Sequence, residues 1–177
     1  YKWEAVLELI RGKSHLREIA SHLGINHMMI VRRMKELIKE NVVDFKVEGK
    51  NKVFFLKRTI EAKNHVFSAE SYKLNKLLKK YPSLRGIVEK IQNDKRIKLA
   101  VLFGSYAKWI AKEESDIDIY IDTNDQNIKE SLSLLHSQIS IKIGKYDKSS
   151  RLIKEIEKNK VIIKGIELYY EKNNLFS

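Results

Sequence analysis

The chain has 177 residues, 43% of them hydrophobic and 33% charged, with no cysteine and a formal net charge of +12. This composition excludes disulfides and thiolate metal sites and a disordered polymer. No apolar run approaches the ~18 residues that a membrane span needs. The positive charge is uneven: residues 1–96 hold 22 Lys and Arg against 11 Asp and Glu, a net of +11, whereas residues 97–177 hold 13 against 12. A polyanion partner, nucleic acid first among them, therefore belongs with the N-terminal half; the plainer alternative is a lysine-rich solvated surface.

The opening Tyr1-Lys2-Trp3-Glu4 lacks the apolar core of a secretion signal, which together with the missing cysteine predicts a cytoplasmic protein. Trp3, Val6, Leu7 and Ile10 fall on one stripe of a helix that Gly12 ends. Ser14 is placed to cap a second helix, with Leu16, Ile19, Ala20 and Leu23 facing inward. Gly24-Ile25-Asn26 turns the chain, and Asn26 suits the N-cap of a third helix from His27 to about Glu40, with Ile30, Met34, Leu37 and Ile38 as its core stripe. Strand patterns at Val42–Glu48 and Val53–Lys57, joined through Gly49-Lys50-Asn51-Lys52, predict a hairpin.

Three helices followed by a basic hairpin over Trp3–Lys57 resemble a winged helix-turn-helix of the transcription-regulator kind. The resemblance implies that the third helix enters the major groove of duplex DNA and that the hairpin tip touches the backbone or the minor groove. The residues it implicates are Asn26, His27, Arg32 and Arg33 with Met28 and Lys35 on the helix, and Lys50, Asn51 and Lys52 on the wing. Lys and Arg there would neutralise phosphates, and Asn or Arg would read bases. The other use of such a module is protein docking. His15, His22 and His27 lie close in sequence; with no cysteine or carboxylate pattern beside them, they read as solvated or phosphate-facing.

Residues 58–70 read as a polar connector and a candidate domain linker. Ser71 is placed to cap a helix through Lys80 with Leu74, Leu77 and Leu78 on one face, and Pro82 breaks it. A further helix from Leu84 to about Asp94 would bury Leu84, Ile87, Val88 and Ile91. The basic side chains of this region read as a solvated face.

The informative stretch is Leu102–Tyr120. Ala100-Val101-Leu102-Phe103 has a buried-strand pattern closed by Gly104, which allows a tight turn and close approach of a ligand. Ser105 offers a hydroxyl and an amide at a helix start, where oriented N–H groups favour phosphate. After ten residues comes Asp116-Ile117-Asp118 in a second apolar run, with both carboxylates on one face and Ile117 and Ile119 on the other. Two carboxylates about 6–7 Å apart along a strand suit a divalent cation, and Mg²⁺ prefers carboxylate oxygens together with substrate phosphates. The plainer alternative is a capping serine beside a solvated strand end.

Gly104, Ser105, Asp116 and Asp118 at this spacing resemble the nucleotidyltransferase family that includes DNA polymerase beta and the minimal nucleotidyltransferases, over roughly Ile97–Tyr170. The resemblance implies Gly104 and Ser105 as nucleotide-binding residues, Asp116 and Asp118 as catalytic residues and Mg²⁺ ligands, and an NTP as substrate or ligand. It also implies a third carboxylate on the strand beside the Asp-x-Asp. Here that strand, Ile139–Ile143, presents Ser140 and Lys142, and the acids that would have to replace the missing ligand are Asp147 or Glu167. A second departure is Trp109, where the minimal members carry a small residue; its ring would either narrow the nucleotide pocket or cover the sheet. Downstream, a short helix over Asn127–His136, a helix from Ser150 to about Ile163 capped by Ser149, Gly165 as its C′ residue and a last strand over Ile166–Tyr170 complete the reading.

The predicted fold class is α+β: a winged helix domain at 1–58, connector and entry helices at 59–96, and a nucleotidyltransferase-fold α/β domain with a mixed sheet at 97–177. Two functions follow. One is transfer of a nucleoside monophosphate from a Mg-NTP to an acceptor, beside a DNA-binding module. The other is a DNA-binding regulator or antitoxin-like protein whose nucleotidyltransferase fold serves nucleotide sensing or protein docking. The partners implied are duplex DNA, an NTP, a helical protein and a second copy of the chain.

Overall fold

A computed structural model describes residues 1–176. They form two compact units, Tyr1–Tyr72 with the stretch from Asn173 onward, and Lys73–Lys172. Among the described residues no helix is long and apolar enough to cross a membrane.

The first unit opens with α1 (Lys2–Arg11), β1 (Ser14–His15), α2 (Leu16–Leu23) and α3 (His27–Lys39). The hairpin follows as β2 (Val43–Glu48) and β3 (Asn51–Leu56), in a three-stranded sheet of order β1-β3-β2. Ala5, Val6, Leu9, Ile19, Ile30, Met34, Leu37, Val42, Val43, Val53 and Phe54 are buried. They are the apolar stripes of three helices closing on one face of the wing, the arrangement of a winged helix. Asn26 caps α3 by accepting from the Met28 N–H at 2.7 Å. Ser14 does not cap α2. It pairs with Phe54 as a strand residue, and its hydroxyl donates to Glu18. A two-residue strand has no period to read, so β1 is invisible in the sequence. The wing turns on Gly49 and Lys50 alone, and Gly49 takes φ 61°.

Residues 58–70 are not an open connector. A single helix, α4, runs over Ile60–Lys80. The Thr59 hydroxyl accepts from the Ala62 N–H at 3.2 Å. Ala62, Val66 and Ala69, at positions i, i+4 and i+7, are buried. That stripe is built partly of alanine, so its low hydrophobicity hid its period, and Ser71 lies inside the helix rather than at its start.

In the second unit Pro82 starts a short 3₁₀ turn, followed by α5 (Arg85–Asn93). Then come β4 (Ala100–Leu102), α6 (Gly104–Ala107), β5 (Ile117–Asp122), α7 (Gln126–Ser133), β6 (Ile139–Gly144), α8 (Arg151–Lys158), β7 (Val161–Lys164) and α9 (Ile166–Lys172). The sheet has order β6-β5-β4-β7, with β5 and β6 parallel and the other pairs antiparallel. One face carries Leu102, Ile117, Ile119, Ile121, Ile139, Ile141, Val161 and Ile163 against Leu74, Leu77, Ile87, Val88, Ile91, Ile128 and Leu132. On the other side of β5, Tyr120 is buried and stacks toward Tyr146, which meets Tyr169 edge-on.

The end of the chain differs from expectation. The helix expected to run from Ser150 to Ile163 stops at Lys158, capped by Ser150 rather than Ser149, and Val161–Lys164 is strand. Val161, Ile162 and Ile163 are all buried. A continuous apolar run of that kind has neither helical nor alternating period, so local pattern does not assign it. The expected strand over Ile166–Tyr170 is helix α9. Gly165 is the turn between β7 and α9, at φ 81°, and a Cβ there would stand 2.2 Å from the Lys98 carbonyl oxygen.

Gly165→Ala should therefore cost at least about 2 kcal/mol, from the left-handed backbone and the contact together. The check is thermal unfolding, where Tm should fall; an unchanged Tm would mean that β7 and α9 are not joined as described.

Candidate active site and basic face

The antiparallel register of β4 and β5 builds the site. Leu102 pairs with Ile119, and the Phe103 N–H donates to the Asp118 carbonyl at 3.0 Å. The chain then turns at Gly104, φ 69°, into α6. This brings the turn under the side chain of Asp118: a Cβ on Gly104 would lie 2.2 Å from an Asp118 carboxylate oxygen. No other residue fits, because both the backbone angle and the space are reserved for hydrogen. Ser105 is half-buried, and its carbonyl accepts from the Ile110 N–H at 3.1 Å. Its hydroxyl makes no hydrogen bond among the described residues.

Asp118 is half-buried on β5; Asp116 is exposed just before that strand. Burial, with the Asp116 charge next in size, pushes the Asp118 carboxyl above the ordinary carboxylate range. The Ser140 hydroxyl and the Lys142 charge act the other way. The parallel register sets Ser140 opposite Asp118 and Lys142 opposite Tyr120. The neighbouring strand therefore presents a hydroxyl and an ammonium to the carboxylate pair. Among the described residues no group of three or more acidic, histidine or cysteine side chains converges as a metal cage. Asp147 is held by the Ser149 amide and hydroxyl in the turn after β6, which pulls its carboxyl below the ordinary range. Asp122, on the same face of β5, is engaged with Lys172 at 3.0 Å and the Tyr146 N–H at 2.9 Å.

These donors fit one hard divalent cation. Two carboxylates lie beside a glycine turn that a side chain would fill, and a bound triphosphate would supply further oxygens. They do not fit a second cation, for which no further carboxylate stands in place among the described residues.

Trp109 takes φ 65°, an angle that favours glycine, and its ring packs against the core cluster that contains Ile117 and Ile119. Lys80 donates to the Trp109 carbonyl at 2.6 Å and stands 6.0 Å from the ring centroid. The ring thus packs with the apolar residues of that cluster.

In the first unit the side chains expected to meet DNA fall into two sets. Asn26 spends its carbonyl oxygen on the cap, and Arg33 is held by both oxygens of Glu36 at 3.0 and 2.8 Å. His27, Arg32, Lys50, Asn51 and Lys52 are exposed. His15, Leu16, Arg17, Glu18, His27, Lys50, Asn51, Lys52 and Phe54 line one concavity of about 690 Å³ between α2, the start of α3 and the wing. Arg17 was not among the residues read from the sequence as DNA contacts. Its place beside the wing depends on tertiary packing next to the two-residue strand β1.

Residues 85–173 match the family model described as polymerase beta, nucleotidyltransferase. No curated protein matches the chain. Among solved structures the chain is similar to the adhesin competence repressor AdcR of Streptococcus pyogenes, at 19% identity and a TM-score of 0.37, over 50% of this chain and 72% of that one.

Because the Asp118 carboxyl sits above its ordinary value, its charge costs stability at neutral pH, and that cost disappears as pH falls below the ordinary carboxylate range. Asp118→Asn should accordingly raise Tm at neutral pH without added metal, and the gain should shrink toward acid. Mg²⁺ should raise the Tm of the parent chain but not of the Asp116→Asn, Asp118→Asn double variant. Calorimetry across pH and Mg²⁺ checks both; an Asp118→Asn that lowers Tm at neutral pH would contradict the account of the carboxylate.

Proposed function

The chain belongs to the polymerase beta nucleotidyltransferase family, and from this premise we propose that its C-terminal unit binds an NTP with Mg²⁺ and transfers the nucleoside monophosphate to an acceptor, while the N-terminal winged helix binds duplex DNA. The observation that carries the first half is the Asp118 carboxylate seated on the Gly104 turn, where a Cβ would stand 2.2 Å from it. Such contact is of no use to a solvated strand end; it brings carboxylate and phosphate-binding turn within reach of one ligand.

In this reading the triphosphate sits on Gly104 and Ser105, with the Ser105 hydroxyl donating to a phosphate oxygen. Asp116 and Asp118 would hold Mg²⁺, which when bound neutralises phosphate charge and stabilises the leaving pyrophosphate. The acceptor oxygen attacks the α-phosphorus. The bond to the bridging oxygen breaks, pyrophosphate departs with the electron pair, and the acceptor's proton passes to solvent. Lys142, which makes no ion pair among the described residues, lends a positive charge on the neighbouring strand. A second reading, nucleotide sensing or docking without transfer, is favoured by one observation: the strand beside the two aspartates carries Ser140 and Lys142, not an acid.

The deciding assay incubates the chain with labelled ATP, GTP, CTP or UTP, Mg²⁺ or Mn²⁺, and protein and RNA acceptors. Transfer reading: labelling that Asp116→Asn reduces by about 10² or more, the scale expected when a transition-state charge contact is removed. Absence of labelling, with Mg-NTP binding that the same variant abolishes, is the outcome of the sensing reading.

A further inference from the structure

The cationic side chains of the first unit are sorted by their partners. Lys2 is paired with Glu40 at 2.6 Å, Arg11 with Glu8 at 3.3 Å, and Lys13 and Lys46 both with Glu48 at 2.7 and 2.9 Å. Arg33 is fixed on its own helix by Glu36 at 2.8 Å. Arg17, Lys50 and Lys52 make no ion pair among the described residues, and all three line the 690 Å³ concavity with His15 and His27. Lys52 stands 4.0 Å from the Phe45 ring centroid, a contact that holds its stem while leaving the charge unneutralised. The one acid of the lining, Glu18, accepts from the Ser14 hydroxyl, which holds its carboxyl below the ordinary range.

Of the helix groups that would read base edges, Asn26 and Arg33 are occupied, and Arg32, though exposed, does not line the concavity. The carbonyl oxygen of Asn26 caps α3, so a bidentate contact with adenine, which needs oxygen and amide together, would break the cap. Arg33 would have to leave two carboxylate oxygens. The two residues that follow His27 on α3, Met28 and Met29, are 57% and 40% exposed and carry no hydrogen-bond donor on their side chains.

We propose that this concavity grips duplex DNA by its phosphodiester backbone, without selecting sequence, with Arg17, Lys50 and Lys52 as the phosphate contacts. The occupant follows from charge complementarity: three unneutralised cations on one concave surface suit a polyanionic backbone, and phosphate contacts carry no sequence information. The inference rests on the DNA-binding half of the proposed function and adds Arg17 on α2 to the wing lysines Lys50 and Lys52 read from the sequence.

The test uses the full chain and fluorescence anisotropy with two duplexes of unrelated sequence, about 25 base pairs each, over about 50 to 200 mM salt. Affinities for the two should agree within about tenfold, since sequence readers separate sites by about 10³ or more. Arg17→Ala should lower the salt slope by about one unit, and Arg17→Lys should restore it. A preference beyond about tenfold between the duplexes, or an Arg17→Ala slope equal to that of the parent chain, overturns the backbone grip while leaving DNA binding in place. No binding to either duplex at low salt overturns this inference and the DNA-binding reading together.

Discussion

The candidate site depends on one spatial constraint: Gly104 has no side chain, and the Asp118 carboxylate occupies the room that one would take. The constraint is set by the ladder between β4 and β5. Pairing of Leu102 with Ile119 puts Phe103 across from Asp118, where its amide binds the Asp118 carbonyl. A slip of one residue would turn the aspartates into the apolar core. The isoleucines of β5, buried at 0–3% exposure, forbid that slip. The core thus fixes the chemistry, because the same alternation that buries Ile117, Ile119 and Ile121 aims Asp118 outward.

What surrounds the pair is unlike an acidic metal cage. Ser140 and Lys142 are brought level with Asp118 and Tyr120 by a parallel ladder, and both temper the rise that burial imposes on the Asp118 carboxyl. A lysine there competes with a cation for the same negative potential, yet also supplies positive charge to a bound polyphosphate. One residue therefore pulls the two functional readings in opposite directions. The balance between them is chemical, not architectural.

Much of this was legible in the chain. Gly104-Ser105 and Asp116-x-Asp118, each tied to an apolar strand pattern, pointed to the candidate site, and Asn26 marked the start of α3. Failures came where local signal and tertiary role part. Val161-Ile162-Ile163 is buried throughout and has no period, so it was absorbed into the preceding helix, and Ile166–Tyr170 took the strand assignment that belonged to it. Ala62, Val66 and Ala69 form a true helical stripe of low hydrophobicity, which let Ile60–Glu70 pass for a connector. The pairing of Arg33 with Glu36 is present in the sequence as an i, i+3 spacing. The place of Arg17 in the concavity beside the wing has no sequence signal, because it depends on tertiary packing next to a strand of two residues.

The left-handed backbone at Trp109 has a use unrelated to nucleotides. The chain has two tryptophans: Trp3 on α1, 5.5 Å from the His65 ring, and Trp109 against the core of the second unit. Each compact unit therefore carries its own intrinsic fluorophore in a distinct environment, one beside an imidazole and the other beside aliphatic core and the Lys80 ammonium. Replacing either indole with phenylalanine leaves a chain whose emission reports on a single unit, so the melting of the two can be followed separately in the same molecule without any label.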